Sequence, residues 1–368
     1  MDLKIILENS IMQKGAPATA GSKMLVDFIA PVDATVVERL RDAGVSVVGR
    51  MATSEFGVGG LLTDGVKDYG VVDSVACGEA DVALCNDYTG SISRAAAMKG
   101  LYYIHPTYGT VSRYGLIPAV MSMDQIGVVC RRPEDGFLIM EIISGRDTKD
   151  GVMAVGHGVE RSTAGDAFSF PAQAKALSAL ADDCSRSHEI KKHPLPRCGL
   201  PYSEVLLHVM QILCCAEFSN NISRYDGVRY GFRAEGYNGL EELYKKSRTE
   251  AFGEDIKLAA IVGAMVLSQE NYLRFYDKAM RMRRLIRDSL EFDKYDVITN
   301  DKGTGLLRAL AMTEDGGEVE GASLLLISRL CGLPSLTTPE HVYIADAGCE
   351  DVLRAVSCGG ACDEGGAL

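Results

Sequence analysis

Short apolar runs alternate with amphipathic segments along the amino-terminal part of the chain. Residues 3–7 form an apolar, β-branched run that ends in polar residues, which is typical of a buried strand. Residues 34–43 carry apolar side chains at helical spacing and are followed by Gly44, so an amphipathic helix is predicted here. Residues 45–49 predict the next strand. This alternation indicates a layered α/β fold.

Further strands and helices are predicted on both sides of the middle of the chain. Residues 81–84 and 126–130 are short, mostly apolar runs that predict strands. Residues 202–218 and 256–292 have the long apolar pattern of helices, and the second helix is predicted to break near Ser268.

Residues 151–201 are the least regular stretch, and they predict loops with one helix near residues 172–181. A glycine- and cysteine-rich tail, residues 357–368, is predicted to be flexible. No linker divides the sequence, so one domain over residues 1–368 is expected.

Composition narrows the class of protein. Apolar residues make up 47% of the 368 residues and charged residues 24%, as in globular proteins with a hydrophobic core. The net charge of −12 argues against direct nucleic-acid binding, which requires clustered lysine and arginine. The sequence has no secretory pattern and no apolar run that suggests a membrane span, and its 11 cysteines are an odd number. A cytoplasmic protein with reduced thiols is therefore predicted.

Metal and cofactor motifs are weak. His188, Glu189, His193 and Cys198 lie close together, but their spacing matches no standard zinc site. No metal and no cofactor are predicted.

Residues 87–93 carry the main candidate for chemistry, with the sequence Asp-Tyr-Thr-Gly-Ser-Ile-Ser. Other segments share its resemblance to a known family; they are residues 19–25, 33–44, 106–115, 122–127, 224–231, 240–246 and 250–253. Together they resemble amidase-signature proteins, and more narrowly the A subunits of glutamyl-tRNA(Gln)/aspartyl-tRNA(Asn) amidotransferases. The resemblance implies one α/β/α sandwich with a large mixed β-sheet between helix layers, and the family's amino-terminal helices are expected to be absent.

The resemblance implies an amidase mechanism in which a lysine and a relay serine activate a second serine. Ser91 matches that nucleophile, and the turn of Tyr88, Thr89 and Gly90 matches the segment whose N–H groups stabilise the oxyanion. Thr89 replaces a family glycine, and its Cβ is expected to disfavour a positive φ. Ser93 stands where the family has an arginine.

The groups that would assist Ser91 differ from the family. Glu8 stands at the lysine position, where a carboxylate reverses the charge and near neutrality usually lacks a proton to give. No glycine-serine loop precedes the nucleophile, and Ser74 is the only serine near the relay position. His105 is an alternative base.

The residues implied to bind glutamine are also replaced. Ala259 stands at the family arginine and Ala322 at the family aspartate, and alanine cannot form a charged hydrogen bond to an amino acid. The segments that form the scaffold thus resemble the family, whereas the residues at its catalytic and glutamine-binding positions differ.

Each candidate also has a simpler interpretation. Ser91 is interpreted as a turn or helix N-cap residue in preference to a nucleophile. Glu8 can form a carboxylate pair with Asp87, but a solvated or salt-bridged Glu8 in an opened pocket is favoured.

Two function hypotheses follow. The leading one is an amidotransferase A-subunit-like binding or scaffold protein that has lost the Ser-Ser-Lys chemistry. The alternative is an active amidase or glutamine amidohydrolase in which Ser91 is activated by a new base, Glu8 or His105. Expected partners are an amidotransferase B-subunit-like protein or a second copy of the chain, with a small amide as ligand and no nucleic acid or membrane.

Overall fold

The computed structural model describes residues 3–59, 61–62, 69–153, 192–194, 202–299 and 320–359. The helix predicted near residues 172–181 lies outside these residues, as do three members of the possible zinc group, His188, Glu189 and Cys198. In the described ranges, no group of three or more histidine, cysteine or acidic side chains is placed to hold a metal ion.

Nine strands within the described residues form one sheet. They are β1 (Ile5–Glu8), β2 (Val47–Met51), β3 (Val82–Asn86), β4 (Tyr102–His105), β5 (Ile126–Cys130), β6 (Lys192–Pro194), β7 (Val297–Thr299), β8 (Ser335–Thr337) and β9 (Val342–Ala345). Their order is β2-β1-β3-β5-β4-β8-β9-β7-β6. Strand β1 is parallel to both β2 and β3, and β6 is parallel to β7, whereas the other pairs are antiparallel. The predicted mixed sheet is confirmed.

Ten α-helices accompany these strands in the described chain. They are α1 (Thr35–Asp42), α2 (Gly70–Cys77), α3 (Ser91–Met98), α4 (Pro133–Ile143), α5 (Ser203–Asn221), α6 (Gly239–Ala251), α7 (Glu254–Leu267), α8 (Tyr276–Asp288), α9 (Glu320–Cys331) and α10 (Glu350–Gly359). Short 3-10 helices cover Lys23–Leu25, Glu55–Gly57 and Ile222–Arg224.

The core lies on both faces of the sheet, because successive residues of a strand point to opposite sides. Helices α1, α4 and α10 pack on one face through a cluster that includes Leu40, Ile139 and Leu353. Helices α2 and α3 cover the other face, and a larger cluster centred on α5, α7 and α9 continues that layer. The predicted α/β/α sandwich is confirmed.

Several elements agree closely with the sequence. Strand β5 has the predicted bounds, and the long helix predicted over residues 256–292 is interrupted after α7, where Ser268 has extended backbone. The tail differs, since α10 continues to Gly359 and therefore includes residues 357–359 of the predicted flexible segment. Residues 360–368 lie outside the described chain. One domain over the whole chain stays a prediction.

One helical segment, Val205–Arg224, is long and apolar enough to cross a membrane by length and composition alone. This corrects the expectation that the sequence holds no such run. Its side chains Leu206, Met210 and Phe218 are buried in the main cluster, as in the core helix of a globular protein. The helix is accordingly weak evidence for a membrane span.

Candidate active site

Buried polar side chains collect along one edge of the sheet. Strands β1, β3 and β4 end at this edge, while β5 and β8 begin there because each is antiparallel to its neighbour. The register places Asn86 opposite Ile126 and His105 opposite Ser335. Side chains that are far apart in sequence thus share one layer beneath α3.

Glu8, at the end of β1, is only 1% exposed. Its Oε2 accepts a hydrogen bond of 2.6 Å from the backbone N–H of Asn86. Burial raises the pKa of Glu8 to about 7, and the charge of Asp87 raises it further, while hydrogen bonds from Thr53 and Asn86 oppose the rise. The expectation of a solvated or salt-bridged Glu8 is therefore wrong. With a pKa of about 7, part of the Glu8 population carries a proton near neutrality, contrary to the expectation from the ordinary pKa of a carboxyl group.

The start of α3 is fixed by Asp87. Its carboxylate accepts hydrogen bonds from the N–H groups of Ile92 (2.9 Å) and Ser93 (3.0 Å), which satisfies two donors of the first turn. The N-cap position is Gly90, and Ser91 is the first helical residue. The interpretation of Ser91 as the cap is wrong, since Asp87 supplies the capping oxygens.

Ser91 is 8% exposed, and its neighbours are hydroxyl groups. Its Oγ lies 2.8 Å from Oγ1 of Thr89. The phenol of Tyr69 lies near Ser91, and burial raises the pKa of Tyr69, so the phenol stays protonated near neutrality. A neutral hydroxyl is a poor proton acceptor, so neither neighbour is an evident base for Ser91.

The backbone of the turn is compatible with its sequence. Gly90 has a φ of 76°, which glycine adopts without a steric cost. Thr89 does not have a positive φ, so the expected conflict between its Cβ and the backbone does not occur. Within the described ranges, no acceptor is recorded for the N–H groups of Tyr88 and Thr89. Backbone donors without a protein acceptor are one requirement for binding an oxyanion.

Tyr88 anchors the same turn from the other side. Its side chain is 1% exposed, and its hydroxyl donates a hydrogen bond of 3.0 Å to the carbonyl oxygen of Phe56. Phe56 has a positive φ of 49°, an uncommon conformation for an aromatic residue. It packs among Phe218, Tyr225 and Phe252. The turn therefore rests on a packed aromatic cluster.

His105 lies in the same buried layer but is not joined to Ser91 by any hydrogen bond in the described structure. Its Nε2 is 3.1 Å from Nε2 of Gln125, and its Nδ1 has no partner among the described residues. Burial, together with the charge of Arg329, lowers the pKa of His105 well below its ordinary value. The imidazole is therefore neutral, and its role as a base stays a prediction.

The other expected residues contribute no charge to the site. Ala259 is fully buried in α7 within the large apolar cluster, and Ala322 lies in α9. Ser74 lies in α2, and no hydrogen bond between it and Ser91 is recorded in the described chain.

Sequence reasoning missed Arg329, the largest fully buried side chain of the described structure. It lies in α9, and its Nη2 is 3.0 Å from Oδ2 of Asp87. A single arginine within the apolar run of residues 324–330 was the available signal, because a buried charge requires a partner.

Comparison with known proteins identifies relatives for most of the chain. The family model described as Amidase matches residues 3–63 and 70–300. The A subunit of glutamyl-tRNA(Gln) amidotransferase from Lachnoclostridium phytofermentans is 33% identical over 386 aligned residues, covering 91% of this chain and 74% of the relative. The corresponding protein of Wolinella succinogenes is also 33% identical, over 92% of this chain and 81% of its own.

Solved structures share the fold. The peptide amidase of Stenotrophomonas maltophilia superposes with a TM-score of 0.65 at 21% identity, covering 95% of this chain and 80% of its own. The A subunit of glutamyl-tRNA(Gln) amidotransferase from Thermotoga maritima superposes with a TM-score of 0.60, also at 21% identity and with the same coverage.

Proposed function

Since this chain belongs to the amidase family and is similar to amidotransferase A subunits, we propose that it is a binding or scaffold subunit that does not hydrolyse glutamine. The observation that carries the proposal is the surroundings of Ser91. Its recorded neighbours within the described ranges are the hydroxyls of Thr89 and Tyr69. Neither is an evident base, so the serine stays protonated and weakly nucleophilic.

The replaced glutamine-binding positions support the same proposal. Family resemblance places an arginine and an aspartate where this chain has Ala259 and Ala322. A bidentate contact between arginine and a carboxylate is among the stronger recognition contacts in proteins, and alanine supplies no substitute. Free glutamine is therefore expected to bind weakly, and a small amide without a charged α-carboxylate fits the proposal better.

The intact nucleophile turn supports a retained binding role. Asp87 keeps its contacts to α3, and Tyr88 stays packed beneath the turn. The relatives are named as subunits, so the proposed partner is an amidotransferase B-subunit-like protein, with a second copy of this chain as the other outcome. Direct nucleic-acid binding is not proposed, given the net charge of −12. A cytoplasmic location stays a prediction.

An active amide or ester hydrolase is the second candidate, and one observation favours it. Glu8 has a pKa of about 7, so near neutrality a fraction of it can accept a proton and the remainder can donate one. No hydrogen bond joins Glu8 to Ser91 in the described structure, so a substrate group or a water molecule would have to connect them.

Covalent labelling of Ser91 decides between the two candidates. The wild-type protein, Ser91→Ala and the control Ser46→Ala, at an exposed serine, are treated with a fluorophosphonate probe, and turnover of glutamine, asparagine and simple amides and esters is measured in parallel. The proposal expects no labelling and no turnover above buffer in all three proteins. Labelling of wild type and Ser46→Ala that disappears in Ser91→Ala would instead establish an active serine hydrolase, and Glu8→Gln would then test the base.

A further inference from the structure

Helix α9 contacts the nucleophile turn at two successive positions. A Cβ placed on Gly90 would lie 3.3 Å from Cβ of Leu325, so the turn and the helix are in close contact. Arg329 follows Leu325 by four residues and therefore lies one helical turn further on the same face. Its guanidinium reaches Asp87, the residue that caps α3.

The guanidinium of Arg329 is completely buried, and the recorded bonds account for all five of its N–H donors. Nε donates to the backbone oxygen of Asp87 at 2.8 Å. Nη2 donates to Oδ2 of Asp87 at 3.0 Å and to Oγ of Ser93 at 3.1 Å. Nη1 donates to Oγ of Ser328 and of Ser335, both at 3.0 Å. An arginine this fully bonded holds its partners in one geometry.

Asp87 connects Arg329 to the segment that contains Ser91. Arg329 binds both the backbone oxygen and the carboxylate of Asp87. The same carboxylate accepts from the N–H groups of Ile92 and Ser93, the two residues that follow Ser91. The position of the Ser91 hydroxyl therefore depends on a contact made by a residue in another helix.

We propose that Arg329 is the positioning residue of the nucleophile turn, and that the small side chain of Ser93 makes room for it. Ser93 is fully buried and directly contacts Nη2 of Arg329, so a long side chain at position 93 would overlap the guanidinium. The cation that pairs with Asp87 is the guanidinium of Arg329, which lies in α9. The inference concerns the site of the proposed function, but it holds whether Ser91 reacts or only binds.

A purely structural ion pair is the competing explanation, because breaking any buried pair destabilises a protein. The two explanations differ in which part of the protein loses stability when the pair is broken. A structural pair lowers the stability of the whole fold, whereas a positioning residue loosens the turn more than the remainder of the chain. Moving the cation to α3 tests whether the turn requires a cation beside Asp87 regardless of the helix that supplies it.

Amide hydrogen exchange read by mass spectrometry tests the proposal without any need for turnover. Arg329→Gln is expected to speed exchange across residues 87–97 by about tenfold more than across residues 126–143, because charged hydrogen bonds to Asp87 are lost. The double variant Ser93→Arg/Arg329→Ser is expected to bring residues 87–97 back to within about threefold of wild type. The single variant Ser93→Arg places two cations in one site. Its residues 87–97 should therefore exchange faster than those of Arg329→Gln or of the double variant.

Arg113→Gln is the matched control, because Arg113 and Asp150 form another largely buried pair at 3.0 Å, and Arg113 makes no hydrogen bond to residues 87–97 in the described structure. It should speed exchange near residues 145–153 and leave residues 87–97 unchanged. If Arg329→Gln does not fold, Arg329→Lys replaces it, and exchange of residues 87–97 is compared with that of residues 126–143 in the same way. Uniform loss of protection in Arg329→Gln, or no recovery in the double variant, would overturn the proposal. Hydrogen exchange does not depend on chemistry at Ser91. The outcome of this test is therefore independent of the outcome of the fluorophosphonate labelling of Ser91.

Discussion

Replacing Glu8 by glutamine should stabilise the protein at alkaline pH and have little effect in acid. The carboxyl of Glu8 is buried and has a pKa of about 7, raised mainly by burial from an ordinary value of 4.5. A glutamine has nearly the same shape, can accept the hydrogen bond from the N–H of Asn86, and carries no charge. The variant therefore removes only the cost of ionising this group inside the protein.

The expected size of the effect follows from the two pKa values. The difference between 7 and 4.5 corresponds to about 3 kcal/mol. Below about pH 4.5 the carboxyl is protonated in both the folded and the unfolded chain, so it costs nothing. Between pH 4.5 and 7 the unfolded chain releases the proton first, and the wild type loses stability as the pH rises. Above pH 7 the full penalty is present.

Urea unfolding at a series of pH values from about 5 to 8.5 measures this difference. The free energy of unfolding of Glu8→Gln minus that of wild type should rise by about 2 to 3 kcal/mol across the range, because other titrating groups cancel in the subtraction. Glu79→Gln is the control, since Glu79 lies at the surface and its difference should stay flat. A flat curve for Glu8→Gln would refute the reasoning, as it would mean that the carboxyl ionises in the fold without cost.

Two further changes test local contacts, one at the start of α1 and one beneath the nucleophile turn. Gly115→Ala should lower the free energy of unfolding by about 1–3 kcal/mol more than Gly44→Ala. Both glycines have a positive φ, but only at Gly115 would a Cβ overlap the backbone of Ala34; equal losses in urea unfolding would contradict this. Tyr88→Phe should cost about 1–2 kcal/mol in the same assay, because the carbonyl of Phe56 loses its hydrogen-bond donor, and an unchanged stability would argue against that bond.

The sheet and the long helices were predictable because their signals are local. Strand β5 and the interruption at Ser268 follow from apolar runs and their ends, which a single sequence displays. The family resemblance located Ser91 and the turn before it for a similar reason, since those residues are adjacent in the chain.

The electrostatics of the site were not predictable in the same way. The sequence favours a solvated or salt-bridged Glu8, but the burial of this residue depends on β3 and on the loop that carries Thr53, which approach it from distant parts of the chain. Asp87 replaced Ser91 as the capping residue because its side chain reaches two N–H groups across the turn. The pairing of Arg329 with Asp87 is not predictable from the sequence because the two residues are 242 positions apart.

That separation in sequence has a consequence for how the protein is made. At about 5–20 residues per second, a ribosome needs roughly 10 to 50 seconds to pass from Asp87 to Arg329. During that time the carboxylate of Asp87 lacks the guanidinium of Arg329, and β4 has no β8 beside it, because β8 is synthesised just after Arg329. The nascent chain therefore carries an open strand edge in the middle of its future sheet, which is a site for mispairing. A chain interrupted before α9 would have every residue of the nucleophile turn but would lack the guanidinium that binds Asp87.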